Sequence, residues 1–147
     1  MKVVVQRVSQ ASVQVEDKII SKINQGYLLL VGFHQTDTMN TVSYLARKIA
    51  KLRVFSDSEG KMNKSIQDID GEILSVSQFT LYGDTTDGNR PSFTSSMDPI
   101  NANKLYDAFN QELKMLLNKE IQTGIFQAEM QVSLVNDGPV TILLERT

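Results

Sequence analysis

The sequence has no cysteine, no tryptophan, three prolines and a single histidine among its 147 residues. Because cysteine is missing, neither disulfides nor thiol chemistry can contribute to stability or activity. One histidine and no cysteine also leave no plausible zinc site. A Ser-His-Asp arrangement would have to use the one histidine, His34. A lone histidine after an apolar run is more often structural, so we do not expect His34 to be catalytic.

The chain also lacks a large excess of charge and any apolar run long enough to cross a membrane. Its net charge is −2 and its pI about 5.4, which argues against broad, field-driven binding to nucleic acid but leaves room for a local basic patch. The segment 1–5 is too short and too polar-flanked for a signal peptide, so we expect a cytoplasmic protein without a membrane partner. The length and the apolar content of 41% predict one domain, residues 1–147, with its own core.

Hydrophobic spacing predicts two helices and about six or seven strands, which is the composition of an α+β domain. Residues 1–16 are expected to form one long strand, or two strands joined by a bulge near Ser9. Residues 27–33 form a continuous apolar run, which predicts a central strand buried on both faces. The other strands are expected at 19–23, 71–83, 131–135 and 140–145.

The two helices have clear boundaries and apolar stripes. The first is expected within residues 37–55, with Asp37 or Thr38 as its N-cap. The second begins with Asp98 as N-cap and Pro99 at the first helical position. The stripe of the first helix contains Val42, Leu45, Ile49 and Leu52. That of the second contains Ala102, Leu105, Phe109, Leu116 and one polar residue, Glu112.

The segment LVNDGPVTILLE, residues 134–145, consists of two apolar runs around a polar break. Asn-Asp-Gly is typical of a hairpin turn. The proline that follows removes a backbone donor where the returning strand would begin to pair. The pattern leaves two interpretations open: an ordinary turn, or a Gly138-Pro139 peptide held in a special geometry.

Few side chains in the sequence are ordinary catalysts. The acidic pair Asp68 and Asp70 is typical of a solvated surface, and the stretch GDTTDG lacks the lysine and the spacing of a phosphate-binding loop. Residues 83–96 form a loop of a length that is often functional. If the protein is an enzyme, three sources of catalysis remain: the hydroxyls of Ser77 and Thr80, backbone N–H groups, and the substrate itself.

Two motifs, SVSQFTLYGD and LVNDGPVT, resemble the two signature motifs of the D-aminoacyl-tRNA deacylases, the D-tyrosyl-tRNA deacylase family. Further segments occur in the order and spacing of that family: MKVVVQRVSQASV, RKIAKLRVFSDSEGKMNKS, GNRPSF and TGIFQAEMQVSLVNDGPVT. One departure is Gln127, which stands where the family usually has the glycine of an FGA triplet.

The resemblance implies a fold, an activity and an assembly. The fold is a single α+β domain with a barrel-like mixed or antiparallel sheet packed by two main helices. The activity is hydrolysis of the ester that joins a D-amino acid, and glycine to some extent, to the 3′-terminal CCA end of tRNA. The protein is expected to form a homodimer and to need no cofactor and no metal.

The resemblance also implies roles for residues around the polar break. The Gly138-Pro139 peptide is expected to be cis and to project into the pocket of the other subunit. Its carbonyl oxygens would accept a hydrogen bond from the substrate α-ammonium group and fill the space that an L side chain needs. Arg7 would brace this loop through its guanidinium. Three neighbours complete the expected substrate-binding segment: Asn136, Val140 and Thr141.

The expected catalytic segment is Ser77, Gln78, Phe79 and Thr80. By match to the family, the backbone N–H groups of Gln78 and Phe79 would stabilise the oxyanion. Thr80 is the obvious nucleophile, but an unassisted threonine hydroxyl is weak. We therefore favour attack by water, assisted by the ribose 2′-OH, with Thr80 lining or positioning.

Basic and loop residues give candidate contacts to tRNA. Arg47, Lys48 and Lys51 lie on one side of the first helix and, with three further cations, form the densest basic stretch: Arg53, Lys61 and Lys64. A charged helix face is usually only solvated, and phosphate contact is the alternative. The rim for the terminal adenosine is expected among Asn89, Arg90, Ser92 and Phe93.

Two rival functions stay open at this point. One is a non-catalytic module that binds RNA ends or a small amino compound. The other is a hydrolase that acts on a different ester through a covalent intermediate on Thr80.

Overall fold

The longest strands, β1 (Lys2–Val15) and β8 (Gln131–Glu145), pair antiparallel along most of their length in a computed structural model that describes residues 1–147. On its other side, the first half of β1 pairs with β3 (Gly26–Gly32) and the second half with β2 (Lys18–Ile23). β6 (Glu72–Ser77) lies parallel to β3, and β7 (Gln122–Thr123) lies parallel to β6. The result is the predicted α+β domain with a nearly closed, barrel-like mixed sheet.

The strand count exceeds the predicted one because three strands of only two or three residues were not predicted. These are β4 (Phe55–Ser56) and β5 (Met62–Lys64), which pair in a separate hairpin, and β7. Such short elements show no hydrophobic period. In β1 the register against β8 shifts between Val8 and Gln10, which is the irregularity that was expected near Ser9.

Side chains of β3 enter both cores of the domain, which confirms it as a central strand. Tyr27, Leu29 and Val31 pack against the helices, and Leu28 enters the interior of the barrel. All four are almost completely buried. A strand covered on both faces reads as a continuous apolar run.

The first helix, α1 (Met39–Lys51), begins after Thr38, which has the extended backbone of an N-cap. Asp37 has a different role: its buried carboxylate binds the ammonium group of Met1 at 2.7 Å and accepts a hydrogen bond from the amide of His34 at 2.6 Å. Asp37 therefore connects Met1 to the residues that follow β3, and it does not cap the helix.

The second helix, α2 (Pro99–Leu117), has the predicted cap, since the Asp98 carboxylate accepts a hydrogen bond from the amide of Asn101 at 3.0 Å. Its fully buried residues are Tyr106, Phe109 and Leu113. The expected stripe lies on the buried face, since Phe109 is buried and Ala102, Leu105 and Leu116 pack, partly buried, against the same core. Its polar member Glu112 is half-buried and accepts a hydrogen bond from Ser43 of α1 at 2.8 Å. The buried residues Tyr106 and Leu113 were not predicted.

Two expected strand boundaries were wrong. The strand predicted at 71–83 ends at Ser77, and Phe79–Tyr82 form a 3-10 turn. The expected break between the strands at 131–135 and 140–145 is a bulge within β8, because both flanks pair with β1. Neither α1 nor α2 combines the length and the apolar character that crossing a bilayer requires.

Candidate active site

A cavity of about 670 Å³ opens where the parallel strands β3 and β6 end. Its floor is apolar and comes from both strands, the start of α2 and the segment that leads into β8. Its polar lining includes the predicted residues Ser77 and Gln78 and the departure from the family pattern, Gln127. Phe79 and Phe93 stand at its rim as two large exposed rings. Ligand pockets have this composition, an apolar lining with a few polar groups.

The turn at Phe79–Tyr82 closes against β3 at a position where only glycine fits. A Cβ on Gly32 would lie 2.9 Å from the carbonyl oxygen of Gln78 and 3.2 Å from Cβ of Leu81. The amide of Gln78 donates to the carbonyl of Val31 at 2.7 Å, which anchors the end of β6 to β3. The Gln78 N–H is therefore already hydrogen-bonded within the sheet. Phe79 is the first residue of the turn, so its N–H has no carbonyl within the turn to which it can donate.

Thr80 lies outside the cavity lining and is exposed to solvent. Its hydroxyl accepts a hydrogen bond from the side-chain amide of Gln78. The one histidine is bound elsewhere, with Nδ1 of His34 at 2.8 Å from the Thr36 hydroxyl. No base therefore contacts Thr80, and the geometry does not activate it as a nucleophile.

Asp98 is the one ionisable side chain that lines the cavity. Its carboxylate accepts hydrogen bonds from the backbone amide and the side-chain amide of Asn101 at 3.0 and 2.9 Å. These bonds hold the pKa of Asp98 below its usual value. A carboxylate that is weakly basic and already hydrogen-bonded is a poor general base at neutral pH.

The rim of the cavity is aromatic on one side. The rings of Phe79 and Phe93 meet edge to face with centroids 5.0 Å apart. The loop between them is closed by paired backbone hydrogen bonds of 2.8 Å between Asp84 and Ser92. Arg90 and Asn89 are exposed in this loop and do not line the cavity.

Gln127 has a left-handed backbone conformation, with φ of 65°. This region favours glycine, which accounts for the glycine of the related pattern at the same place. The glutamine side chain is exposed at the cavity edge.

The residues predicted around Gly138 lie together, but away from the cavity of their own chain. On β1, Gln6 pairs with Thr141 and Val8 pairs with Asn136, so Arg7 alone faces the four residues 137–140. The segment Asp137–Pro139 is exposed, and the Gly138-Pro139 peptide bond is cis. We refer to residues 137–140 as the β8 bulge.

Arg7 holds the β8 bulge from below. Its Nε donates to the carbonyl of Asp137 at 3.0 Å, and its Nη1 donates to the carbonyl of Val54 at 2.7 Å. A Cβ on Gly138 would lie 2.8 Å from Nη2 of Arg7, and the φ of Gly138 is 126°. The conformation therefore disfavours a side chain at this position, and a side chain there would also force the Arg7 guanidinium to move.

The base of the β8 bulge is closed by the predicted residues Asn136, Val140 and Thr141. The Asn136 side chain accepts a hydrogen bond from the amide of Val140 at 3.1 Å and donates to the hydroxyl of Thr141 at 2.9 Å. These three residues support the bulge and do not line the cavity of the same chain.

Four of the six predicted basic residues line a shallow groove along α1, whereas Lys61 and Lys64 lie outside it, at the β4–β5 hairpin. The groove is lined by Tyr44, Arg47, Lys48, Lys51, Leu52 and Arg53. Its four cations have no carboxylate within ion-pair distance, since all ion pairs of the protein lie elsewhere. We refer to this surface as the α1 groove.

Several cavity residues were missed by the sequence analysis. Met97, Ala102, Phe126, Ala128, Met130 and Val132 line it. Four of them belong to the segment TGIFQAEMQV, where they alternate with polar residues at every second position, and this alternation was the available signal. No group of three or more His, Asp or Glu side chains that could hold a metal ion is present.

Comparison with known proteins gives three findings. A family model described as D-Tyr-tRNA(Tyr) deacylase matches residues 4–145. A solved structure described as "c-Myc DNA Unwinding Element Binding Protein" is 44% identical, with a TM-score of 0.94 and coverage of 100% of this chain and 99% of that chain. A second, described as "Structural Analysis of a probable eukaryotic D-amino acid tRNA deacylase", is 16% identical, with a TM-score of 0.84 and coverage of 97% of each chain. The second likeness is one of fold.

Proposed function

The chain belongs to the D-Tyr-tRNA(Tyr) deacylase family and is a hydrolase of aminoacyl-tRNA ester bonds, and from this premise we propose that it removes D-amino acids and glycine while sparing L-aminoacyl-tRNA. The observation that carries the proposal is the cavity at the ends of β3 and β6. Its edge is formed by the signature segment Ser77–Phe79, and it contains no competent acid–base side chain. The reaction is then left to backbone dipoles and to the substrate.

The ester carbonyl lies against the amide of Phe79 in this proposal. Water adds to the carbonyl carbon, and the amide stabilises the negative oxygen that forms. The ribose 3′ oxygen then leaves with a proton, giving the free amino acid and tRNA. The neighbouring ribose 2′-OH assists the water, because the enzyme offers no base of its own. Thr80 helps to position the segment through its hydrogen bond with Gln78.

The terminal adenosine is proposed to rest at the aromatic rim. Exposed aromatic rings are stacking surfaces for unpaired bases, whatever the base. The Phe79–Phe93 pair is such a surface, and Arg90 and Asn89 in the adjacent loop can contact the sugar or phosphate. Recognition would thus be centred on the CCA end that all tRNAs share.

Chirality is proposed to be tested by the β8 bulge of a second subunit in a homodimer. In its own chain the bulge is exposed and lies outside the cavity, which supports action on another copy. Carbonyl oxygens of Gly138 and Pro139 would accept a hydrogen bond from the α-ammonium group. They would also occupy the space of an L side chain, whereas a D side chain points elsewhere and glycine has none. A rigid main-chain wall discriminates by handedness and not by side-chain identity.

The test is a pair of ester-hydrolysis assays in the presence of a chelator. D-tyrosyl-tRNA and L-tyrosyl-tRNA are incubated separately with the protein, and loss of the labelled amino acid is followed. We expect rapid loss of the D ester, no change on chelation, and a spared L ester. Equal hydrolysis of both esters would overturn the chiral role, and hydrolysis of neither would overturn the proposed function.

A second candidate is binding of nucleic acid without turnover. It is favoured by the α1 groove, whose cations lack acidic partners, and by a 44% identical relative that is described as a DNA unwinding element binding protein. It predicts salt-sensitive binding of uncharged tRNA or duplex DNA together with stable D-aminoacyl esters. The rival hydrolase predicts an acyl group trapped on Thr80.

A further inference from the structure

The cavity and the Arg53 end of the α1 groove lie at different ends of the sheet within one subunit. The cavity opens at Gly32, which pairs with Lys2 of β1, whereas Arg7 pairs with Tyr27 at the other end of β3. Five residues of strand separate these levels, a distance of about 17 Å at 3.3–3.4 Å per residue. No residue of α1 lines the cavity.

The α1 groove ends beside the β8 bulge of the same subunit. Its last residue, Arg53, precedes Val54, whose carbonyl accepts a hydrogen bond from Arg7 at 2.7 Å. The same guanidinium donates to the carbonyl of Asp137 at 3.0 Å. One side chain thus ties the end of the groove to the element that is proposed to enter the partner's cavity.

The cations of the α1 groove are available to phosphate groups, because no carboxylate of the same chain forms an ion pair with them. Arg47, Lys48 and Lys51 are exposed, have no ion pair, and lie on consecutive turns of one helix face. Asp68 is hydrogen-bonded to the amide of Ser65 at 2.8 Å; of the groove cations only Arg53 is near enough to contribute to lowering the pKa of Asp68, and the two form no ion pair. Arrays of uncompensated cations bind a nucleic-acid backbone by releasing its counterions.

We propose that the α1 groove binds acceptor-stem phosphates in trans: a tRNA whose 3′ end occupies the cavity of one subunit lies on the groove of the subunit that donates the bulge. This inference rests on the proposed function, because it needs a tRNA substrate and a bulge that enters the partner's cavity. The bulge then brings the groove of its own subunit to the mouth of the partner's cavity. Each complete site therefore consists of the cavity of one chain together with the β8 bulge and the α1 groove of the other.

The first measurement concerns wild-type homodimers and two triple variants. R47Q/K48Q/K51Q removes three groove charges, and the matched control K18Q/K22Q/K104Q removes three exposed, unpaired charges elsewhere. Each lost phosphate contact lowers the slope of log K against log salt by about 0.7–0.9. We expect the groove variant to lose about 2 units of slope and to raise KM roughly tenfold near 0.1 M salt, with kcat retained, whereas the control keeps the wild-type slope. A slope that is unchanged in the groove variant would overturn phosphate binding.

The second measurement separates action in trans from action in cis. Mixed dimers are purified through two different C-terminal tags, because the Met1 ammonium group is buried against Asp37. One subunit carries a dead cavity through F79P, or through A128W if F79P does not fold. In the first mixed dimer the groove substitutions lie on the subunit with the working cavity. In the second they lie on the subunit with the dead cavity.

We expect wild-type KM per working cavity in the first mixed dimer and a roughly tenfold higher KM in the second. The reverse pattern would overturn the inference while leaving the deacylase function intact. A wild-type protein that deacylates D-tyrosyl-tRNA as a monomer would also overturn it. No deacylation by the wild type would instead overturn the proposed function on which the inference depends.

Discussion

The cavity and the β8 bulge are both built where a strand is interrupted, but different forces hold them. The cavity forms where β6 ends, and its shape comes from packed apolar side chains of two strands, a helix and the segment before β8. Residues 137–139 of the bulge are exposed, and the main chain of the bulge is held by a hydrogen bond that Arg7 donates to the carbonyl of Asp137 and by one that the amide of Val140 donates to the Asn136 side chain. A concave apolar surface can hold a substrate, whereas a convex main-chain surface can exclude one.

The two regions also differ in the residue that each places at a left-handed backbone position. Each contains a residue with a left-handed φ, which is glycine at position 138 and glutamine at position 127. At Gly138 a Cβ would meet the side chains of Arg7 and Val140 at 2.8 and 2.9 Å, so these side chains would have to shift to admit one. At the exposed Gln127 the conformation is tolerated at a cost. The backbone of the bulge is therefore constrained more tightly than that of the cavity edge.

The largest effect is expected from removing the Phe79 amide. Proline is tolerated at the first position of a turn, so F79P deletes the N–H while keeping the local backbone. Loss of one oxyanion donor typically costs roughly a hundred- to a thousandfold in kcat. The matched control F79A keeps the amide and removes the ring, and we expect a weaker, KM-dominated loss. Equal kcat for F79P and F79A would show that this amide does not stabilise the oxyanion.

A large effect on selectivity is expected from Arg7→Ala. The change leaves the carbonyls of Val54 and Asp137 without their donor, so the bulge loses its support. We expect the ratio of D to L ester hydrolysis to fall by at least about tenfold, which corresponds to about 1.4 kcal/mol of discrimination. Arg7→Lys keeps the charge but cannot bridge both carbonyls, so its ratio of D to L ester hydrolysis should lie between those of the wild type and Arg7→Ala. A variant that loses stability but keeps the wild-type ratio would reduce Arg7 to a structural role.

A modest gain in stability is expected from Gln127→Gly. A left-handed conformation costs a non-glycine residue about 1–2 kcal/mol, and the extra entropy of glycine in the unfolded chain offsets roughly half of this. The net gain of about 0.5–1 kcal/mol should raise Tm by about 1–4 °C in thermal unfolding. The control Gln127→Ala keeps the unfavourable φ and should not raise Tm. A gain that is equal in both variants would contradict the conformational explanation.

The smallest effect is expected from Thr80→Ala. The Thr80 side chain is exposed, lies outside the cavity lining, and makes one hydrogen bond with Gln78. Loss of such a bond costs about 0.5–1.5 kcal/mol, so kcat/KM should change by less than about tenfold. A complete loss of turnover in a folded variant, with an acyl adduct on wild-type Thr80 in mass spectra, would favour covalent catalysis instead.

Much of the fold follows from the sequence because its elements repeat a period. The run at 27–33 predicted the central strand, and Asp98 with Pro99 predicted the start of α2. The end of β6 could not be predicted from the period, because Phe79 and Leu81 continue the apolar alternation although Phe79 is 56% exposed at the rim. Its position is decided by the contact of the turn with Gly32, which is a tertiary constraint.

The site divides in the same way. The signature motif SVSQFTLYGD identified Ser77, Gln78 and Phe79 at the cavity, and the matching segment MKVVVQRVSQASV identified Arg7 beneath the bulge. The bulge itself was expected as a break between two strands, since sequence spacing does not reveal that both flanks pair with β1. The hydrogen bond from the Gln78 amide to the carbonyl of Val31 also could not be predicted from the sequence, because it depends on the parallel register of β3 and β6.

A mixed dimer of F79P and R7A chains tests whether one subunit's bulge screens the substrate in the other subunit's cavity, as we propose. The only working cavity belongs to the R7A chain, while the intact bulge that is proposed to enter it belongs to the F79P chain. The measured quantity is the ratio of D-tyrosyl-tRNA to L-tyrosyl-tRNA hydrolysis by this dimer. We expect the wild-type ratio. If the dimer instead shows the lowered ratio of the R7A homodimer, the bulge does not act on the partner's cavity.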